Sequence, residues 1–429
     1  MNRPAQFLAL MALLAELGSL ACVNSNRDSP DAAAGGALGT GGAAAGIGAT
    51  DIGEPPSFCT TSNDPASPMD ASPVDASAST AAEGGAGIMR DISSMTVVNE
   101  MGVGWNLGNA LDALGGEIAW RNPTTTQEMI QAIADSGFKS VRIPVTWVQH
   151  FGASPCYPID ATWMARVQQI VDWVIGAGMY AIIDLHHDGG DPDPKTGGGW
   201  IRRASTDYAG VIAEYKALWI QIAQRFRDYS DYLVLESMNE VGFDDLNVNG
   251  SPSQTAFDLL NRINAEFVAL VRKSGGSNSA RHLLLAGYWT DIDRSSRGWV
   301  RPNDGRTILS VHYYTPYQFC IDATQATWGS ASDISILRSQ LGKLKTAFLD
   351  KGIPVIVGEF GVATKTEAAS RVYWIEYVAK TCRDLGVAPY FWDDGSEFDR
   401  TTLTWRTPGI LDAFKRAASG QAYTITKGP

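Results

Sequence analysis

Two glutamates close apolar runs that lie far apart in this sequence: Glu240 in LVLESMNE (233–240) and Glu359 in PVIVGEFG (354–361). An ionised carboxylate buried alone is costly, so a run of Leu and Val leading into Asn-Glu implies partners or chemistry for that side chain. Two carboxyls facing one another can cleave a glycosidic bond. One stays protonated and donates to the leaving oxygen, while the other is ionised and attacks the sugar carbon or activates water. Their separation sets the stereochemistry: about 5 Å gives retention of configuration, and about 6.5–9.5 Å gives inversion.

The elements that would position such a pair recur along the chain. Eight short apolar runs end in polar or aromatic residues: MGVGWNLG from Met101, SVRIPVTW from Ser140, YAIIDLHH from Tyr180, YLVLESMN from Tyr232, HLLLAGYW from His282, TILSVHYY from Thr307, PVIVGEFG from Pro354 and APYFWDDG from Ala388. Between them, segments such as ATWMARVQQIVDWVIGAG and ILRSQLGKLKTAFLDKG carry apolar residues at three and four spacing with glycine stops, the pattern of amphipathic helices. Strands alternating with helices predict a parallel sheet, and closing eight of them removes both edges. The expected fold is α/β, a (β/α)8 TIM barrel. An open doubly wound sheet is the alternative, but no glycine-rich dinucleotide fingerprint follows the first strand. In such a barrel the site sits at the C-terminal strand ends, where Asn106, Asn109, Arg142, His186, Asn239, Glu240, His312, Tyr314, Glu359 and Trp392 all fall.

Taken in order, GWNLGN (104–109), VRIPVTW (141–147), DLHHD (184–188), SMNE (237–240), VHYYTPY (311–317), GEFG (358–361) and FWDDG (391–395) resemble the motifs of glycoside hydrolase family 5, the retaining cellulase-type endoglucanases. The resemblance covers about residues 90 to 415. It implies that Glu240 is the acid/base and Glu359 the nucleophile, that Arg142 holds Glu359 ionised, and that Asn239 binds the sugar 2-hydroxyl. His312 and Tyr314 would flank the nucleophile, with His186 and Trp392 completing the subsite of the distorted sugar. On this reading Glu240 carries a raised pKa and Glu359 a depressed one. The runs GNALDALGGEIAWRNP and VHYYTPYQFCID also look like the subgroup acting on β-1,4-glucans including xyloglucan. One departure is Val241, where the family commonly has proline, which leaves open the course of the loop GFDDLNVNGSPSQ.

Neighbouring polar residues have plainer readings. Glu236 lies deeper in its strand than Glu240 and reads as a structural carboxylate, and Asp184, two residues before His186, as the group that orients it. His186 and His187 raise a zinc reading, but adjacent strand residues point to opposite faces, so no metal centre is expected. Asp393 and Asp394 read as a capped, solvated turn before Gly395. The run from Asp188, DGGDPDPKTGGGW, reads either as a mobile lip over the cleft or as an ordinary long loop. Trp120, Trp147, Trp200, Trp289 and Trp392 are candidate stacking platforms for sugar faces, with a core role equally open for each of them except Trp392, whereas Trp173 and Trp219 sit on helical patterns and read as core.

Composition bounds the rest. The chain has 429 residues and a formal charge of −12, which disfavours nucleic acid and fits a neutral partner such as a β-glucan. Residues 1–22 have the layout of a secretory signal, with Arg3, the run FLALMALLA and small residues before Cys22. Cys22 stands where bacterial lipoproteins are acylated, so lipid anchoring and plain cleavage are both open, and the expected location is secreted or cell-surface. Residues 23–88, rich in Ala, Gly, Ser and Pro, read as a low-complexity linker, leaving 89–429 as the catalytic domain. Cys59, Cys156, Cys320 and Cys382 form an even set in an exported chain, with pairing open and free buried thiols as the alternative. A monomer and no cofactor are expected. The functions left open are a retaining endo-β-1,4-glucanase, a xyloglucan-specific, mixed-linkage glucan or mannan hydrolase on the same site, and a catalytically inactive glycan-binding surface protein.

Overall fold

The computed structural model describes residues 89–428. The expected signal peptide and linker, with Cys22 and Cys59, lie outside the described residues. Eight parallel strands close into a barrel: β1 Gly104–Leu107, β2 Ser140–Ile143, β3 Tyr180–Ile183, β4 Leu233–Glu236, β5 Leu283–Ala286, β6 Thr307–Tyr313, β7 Val355–Phe360 and β8 Ala388–Asp393. They run round the barrel in sequence order, with β1 paired to both β2 and β8. This is the (β/α)8 architecture, and all eight apolar runs supply its strands.

Helices follow the strands with the stop and start signals that the sequence carries. Among them are α2 Gln127–Asp135, α3 Ala161–Gly176, α4 Tyr208–Arg225, α5 Gln254–Lys273, α6 Ile292–Gly298, α7 Ala331–Ala347, α8 Ala368–Leu385 and α9 Pro408–Ala418. Asp160 caps α3 by accepting from Trp163 N, and Ser330 and Asp333 form a reciprocal box at the start of α7. A short helix, α1 Ser94–Met101, precedes β1 and inserts Val97, Val98 and Met101 into the base of the barrel. There they meet Tyr180, Ile182, Val234, Leu284, Ile308, Ile356, Ala388 and Tyr390, a dry layer that closes the end remote from the polar residues. Gly104 is required by this packing, because a Cβ there would stand 2.3 Å from the Tyr390 ring.

Strand alternation sends Val141 and Ile143 of β2 to the helices and leaves Arg142 to the barrel axis, where it is fully buried. Between β6 and β7 the register shifts at Val311 and His312, so His312 pairs with Glu359. A bulge of this kind re-aims side chains at a barrel rim.

Candidate active site

Arg142 organises the upper layer of the barrel. Its Nη1 donates to Glu359 Oε1 at 2.7 Å, Nη2 to Asp184 Oδ2 at 2.7 Å, and Nε to Glu236 Oε2 at 2.6 Å. It also reaches Asn239 Oδ1 at 2.9 Å and Asn106 Oδ1 at 3.2 Å. Burial works against its charge, but the three carboxylates outweigh that and raise its pKa. Because the Asn239 oxygen accepts from Arg142, its amide nitrogen is left to donate toward the cleft. Asn106 was placed at a strand end by the sequence but given no role there. It passes the restraint on, donating to Gly358 O at 2.9 Å, one residue before Glu359. An asparagine inside an apolar strand was the available signal, since a fully buried amide needs partners.

Glu240 lies beyond the end of β4 in a left-handed conformation, φ 46°. One of its carboxylate oxygens, one of Glu359 and a ring nitrogen of His312 all lie within 4.8 Å of one another. His312 Nδ1 stands 2.8 Å from Glu240 Oε1 and 3.6 Å from Glu359 Oε2. Tyr314 donates its hydroxyl to Glu359 Oε2 at 3.0 Å. The two carboxyls are thus solvated differently by the protein: Glu359 accepts from a guanidinium and a phenol, while Glu240 contacts an imidazole. Burial pushes Glu240 up to about 7, with Arg142 opposing and Asp191 adding to the rise. Glu359 departs from expectation, because burial raises it as well, against the pull of His312 and Arg142. Burial and the cluster's excess of carboxylates outweigh one shared cation.

The remaining expected residues gather round this pair. His186 Nδ1 contacts Asp184 Oδ2 at 2.8 Å, as the sequence reading required of Asp184. With the ionised carboxylate as acceptor, Nδ1 carries the proton and Nε2 is the acceptor. Burial lowers the His186 pKa, so the ring is neutral. It stacks on Trp392 with centroids 5.7 Å apart and planes 11° from parallel. Glu236, held by Arg142, has the structural role given to it.

Some expectations change, and some alternatives left open are decided. His186 and His187 do not face apart: their rings are 4.8 Å from centroid to centroid, because β3 stops at Ile183 and strand alternation no longer applies. With Asp112 they offer ligand atoms within 4.8 Å of one another, as do Glu240, His312 and Glu359. Trp147 and Trp200 are core residues, donating to Asp184 O and Asp188 Oδ1. Asp393 is buried rather than solvated; its carboxylate accepts from Trp105 Nε1 and from the backbone of Gly395, Glu397 and Phe398. The loop after Asp188 packs against the end of β4: a Cβ on Gly189 would meet Asn239 O at 2.0 Å, and Gly190 N donates to Glu240 O. Of the described cysteines, Cys320 and Cys382 are buried free thiols, and Cys156 is disulfide-bonded.

Residues 102–397 match the model of a family described as Cellulase (glycosyl hydrolase family 5). The chain is 40% identical over 357 residues to Endoglucanase B of Clostridium cellulovorans, covering 79% of this chain and 78% of that one. It is 34% identical over 352 residues to the xyloglucan-specific endo-β-1,4-glucanase BoGH5A of Bacteroides ovatus, covering 73% and 68%. Among solved structures, a GH5-4 broad specificity endoglucanase from Ruminococcus champanellensis with bound cellotriose shares 33% identity at a TM-score of 0.70, covering 76% of this chain and 99% of that one.

Proposed function

Because the chain belongs to glycosyl hydrolase family 5, the cellulase family, we propose that Glu359 and Glu240 act as nucleophile and acid/base of a retaining endo-β-1,4-glucanase. The observation that carries the reading is the separation of the two carboxyls. One oxygen of each carboxyl lies within 4.8 Å of an oxygen of the other, a close approach that supports the retaining spacing of about 5–5.5 Å over the wider inverting one. The difference in their partners supports the division of labour.

Glu240, whose pKa near 7 lets it hold a proton, donates it to the glycosidic oxygen as that bond breaks. Glu359 Oε attacks the anomeric carbon, and a glycosyl-enzyme ester forms as the leaving sugar departs. Arg142 and Tyr314 fix the attacking carboxylate, and the Asn239 amide is placed to donate to the sugar 2-hydroxyl. Glu240, now ionised, takes a proton from water; the hydroxide adds to the anomeric carbon, the ester breaks, and both carboxyls return to their starting states.

The substrate is an internal β-1,4-glucosidic bond of a glucan, with xyloglucan among the candidates through the resemblance to the Bacteroides ovatus enzyme. Reducing-sugar release from carboxymethylcellulose, mixed-linkage β-glucan, xyloglucan and β-mannan, with Glu359→Gln as blank, tests both mechanism and substrate. Cleavage of a β-glucan with retained anomeric configuration and a silent blank is expected. Binding without cleavage would instead favour the inactive glycan receptor.

The chain is also proposed to be exported. The disulfide at Cys156 supports an oxidising compartment. Cell fractionation with Cys22→Ser tests the anchor: a shift from membrane to soluble fraction supports acylation, and no shift supports plain cleavage.

A further inference from the structure

A second cluster of ligating side chains meets where the chain leaves β1 and β3. Asp112, in the loop after β1, and His186 and His187, after β3, each present one ligand atom, and the three atoms lie within 4.8 Å of one another. Asp112 is fully buried, and each of its carboxylate oxygens takes one backbone amide: Oδ2 from Asn109 N at 3.0 Å and Oδ1 from Ala110 N at 2.8 Å. Both oxygens keep a lone pair to offer. The basic group beside them is His187, whose Nε2 stands 3.9 Å from Asp112 Oδ2. That is too far for a hydrogen bond, and this buried nitrogen has no hydrogen-bond partner among the described residues. A buried polar atom of this kind calls for an explanation.

The cluster is oriented as metal ligands are. His186 holds the Asp184 carboxylate through Nδ1 at 2.8 Å, which fixes the ring and leaves the lone pair on Nε2. A carboxylate behind a histidine is the usual outer partner of a metal-bound imidazole. Thr146 ties the other two residues together, since its hydroxyl accepts from His187 N at 3.2 Å and donates to Asp112 O at 2.8 Å. The 3.9 Å between Asp112 and His187 is within reach of two metal–ligand bonds of about 2.0–2.2 Å each. His187 is only half-buried, so a turn of its ring can bring the set toward the about 3.4 Å that separates the ligands of one tetrahedral ion.

We propose that Asp112, His186 and His187 bind a divalent transition metal of the zinc class, and that the ion competes with the glucan for His186. Two imidazoles and a carboxylate suit zinc or nickel better than calcium or magnesium, which take oxygen donors. Three protein ligands leave a coordination position for water. The competition rests on the place given above to His186 in the subsite of the distorted sugar, because an Nε2 held by a metal cannot accept from a sugar hydroxyl. The ion is thus a reversible inhibitor, and no step of the cleavage is assigned to it.

Zinc chloride titrated into the full chain without an affinity tag, followed by isothermal calorimetry at pH 7, tests the site beside His187→Gln and Asp112→Asn. One ion per chain is expected, with Kd raised at least about 10-fold in each variant. If Asp112→Asn fails to fold, the half-buried His187→Gln carries the comparison. Glu240→Gln, which breaks the other group of ligating atoms formed with His312 and Glu359, should bind zinc as before. In steady state, zinc should raise KM for cellopentaose with kcat unchanged, and His187→Gln should need at least about 10-fold more of it for the same effect. Unchanged affinity in His187→Gln, loss of binding in Glu240→Gln, or no binding up to about 1 mM zinc would overturn the site. Calcium bound as tightly as zinc would overturn the metal class, and binding without inhibition would overturn the competition at His186. A chain that binds zinc through His187 yet is inactive on cellopentaose without the metal would instead strike the roles given to Glu240 and Glu359.

Discussion

His312 Nδ1 stands between the two carboxyls, 2.8 Å from Glu240 and 3.6 Å from Glu359. Burial lowers the imidazole pKa, although Glu359 and Glu236 pull the other way. The charge that distinguishes the two carboxyls comes from Arg142, which touches Glu359 and not Glu240.

This arrangement fixes the pH dependence. Turnover needs Glu240 protonated, so activity falls as pH rises through about 7, the value to which burial carries that carboxyl. It needs Glu359 ionised, so activity falls on the acid side through a pKa above the usual carboxylate range. A bell-shaped kcat/KM profile on a β-glucan is expected. With β-cellobiosyl fluoride, which leaves without a proton, the first chemical step should lose its alkaline limb. A single flat plateau to pH 9 on the glucan would refute the role given to Glu240.

The two glutamates should fail differently when replaced. Glu359→Gln removes the attacking atom, and activity on the glucan and on β-cellobiosyl fluoride should both drop by about 10⁴-fold or more. Glu240→Gln removes a proton donor that only the glucan requires, so glycosyl-enzyme formation from the fluoride persists while hydrolysis of the intermediate slows. Accumulated covalent adduct, seen by intact-protein mass spectrometry in Glu240→Gln and absent in Glu359→Gln, is the expected signature. The reverse pattern would exchange the two roles.

Cys320 and Cys382 are buried, and burial pushes both thiols up. Neither should react with a thiol-specific chromogenic reagent in the native protein at pH 8, and both should react once the barrel is unfolded in guanidinium. Rapid labelling of the folded protein would contradict the packing of α8 against β6 and β7.

Much of this site could be read from the chain because barrel strands deliver their polar residues at one end, so order along the sequence becomes order round the rim. Arg142, Asn239, Glu240, His312, Tyr314, Glu359, His186 and Trp392 were legible for that reason. What failed depended on where a strand stops or what lies across a loop. His186 and His187 were judged by an alternation that ends at Ile183. Trp147 and Trp200 could not be told from Trp289, since all three follow strands and only packing separates the two buried rings from the half-buried one. The rise at Glu359 depends on its burial and on carboxylates that meet from three strands, β3, β4 and β7. Arg202 carried no sequence signal, because its pairing with Asp244 and its contact with Trp289 cross from one loop to others.

The Arg142 cluster allows a stability test that separates folding from catalysis. Three carboxylates, Asp184, Glu236 and Glu359, share this one buried guanidinium. Arg142→Met leaves them without a cation and should destabilise the fold by roughly 3–5 kcal/mol at pH 8. Their folded-state pKa values then stand further above the unfolded ones. A carboxyl raised in this way destabilises the fold as pH rises through its folded pKa, so the Arg142→Met deficit should shrink between pH 8 and pH 5.5. Adding Glu236→Gln removes one uncompensated charge without changing shape, and the double variant should melt higher than Arg142→Met at pH 8. Activity should not return, because Glu359 still lacks the donor that positions it. Thermal melts at the two pH values and turnover at pH 6 give both readouts. A double variant no more stable than Arg142→Met would mean that the carboxylates are already protonated, and that Arg142 serves the geometry of Glu359 rather than the charge balance of the barrel.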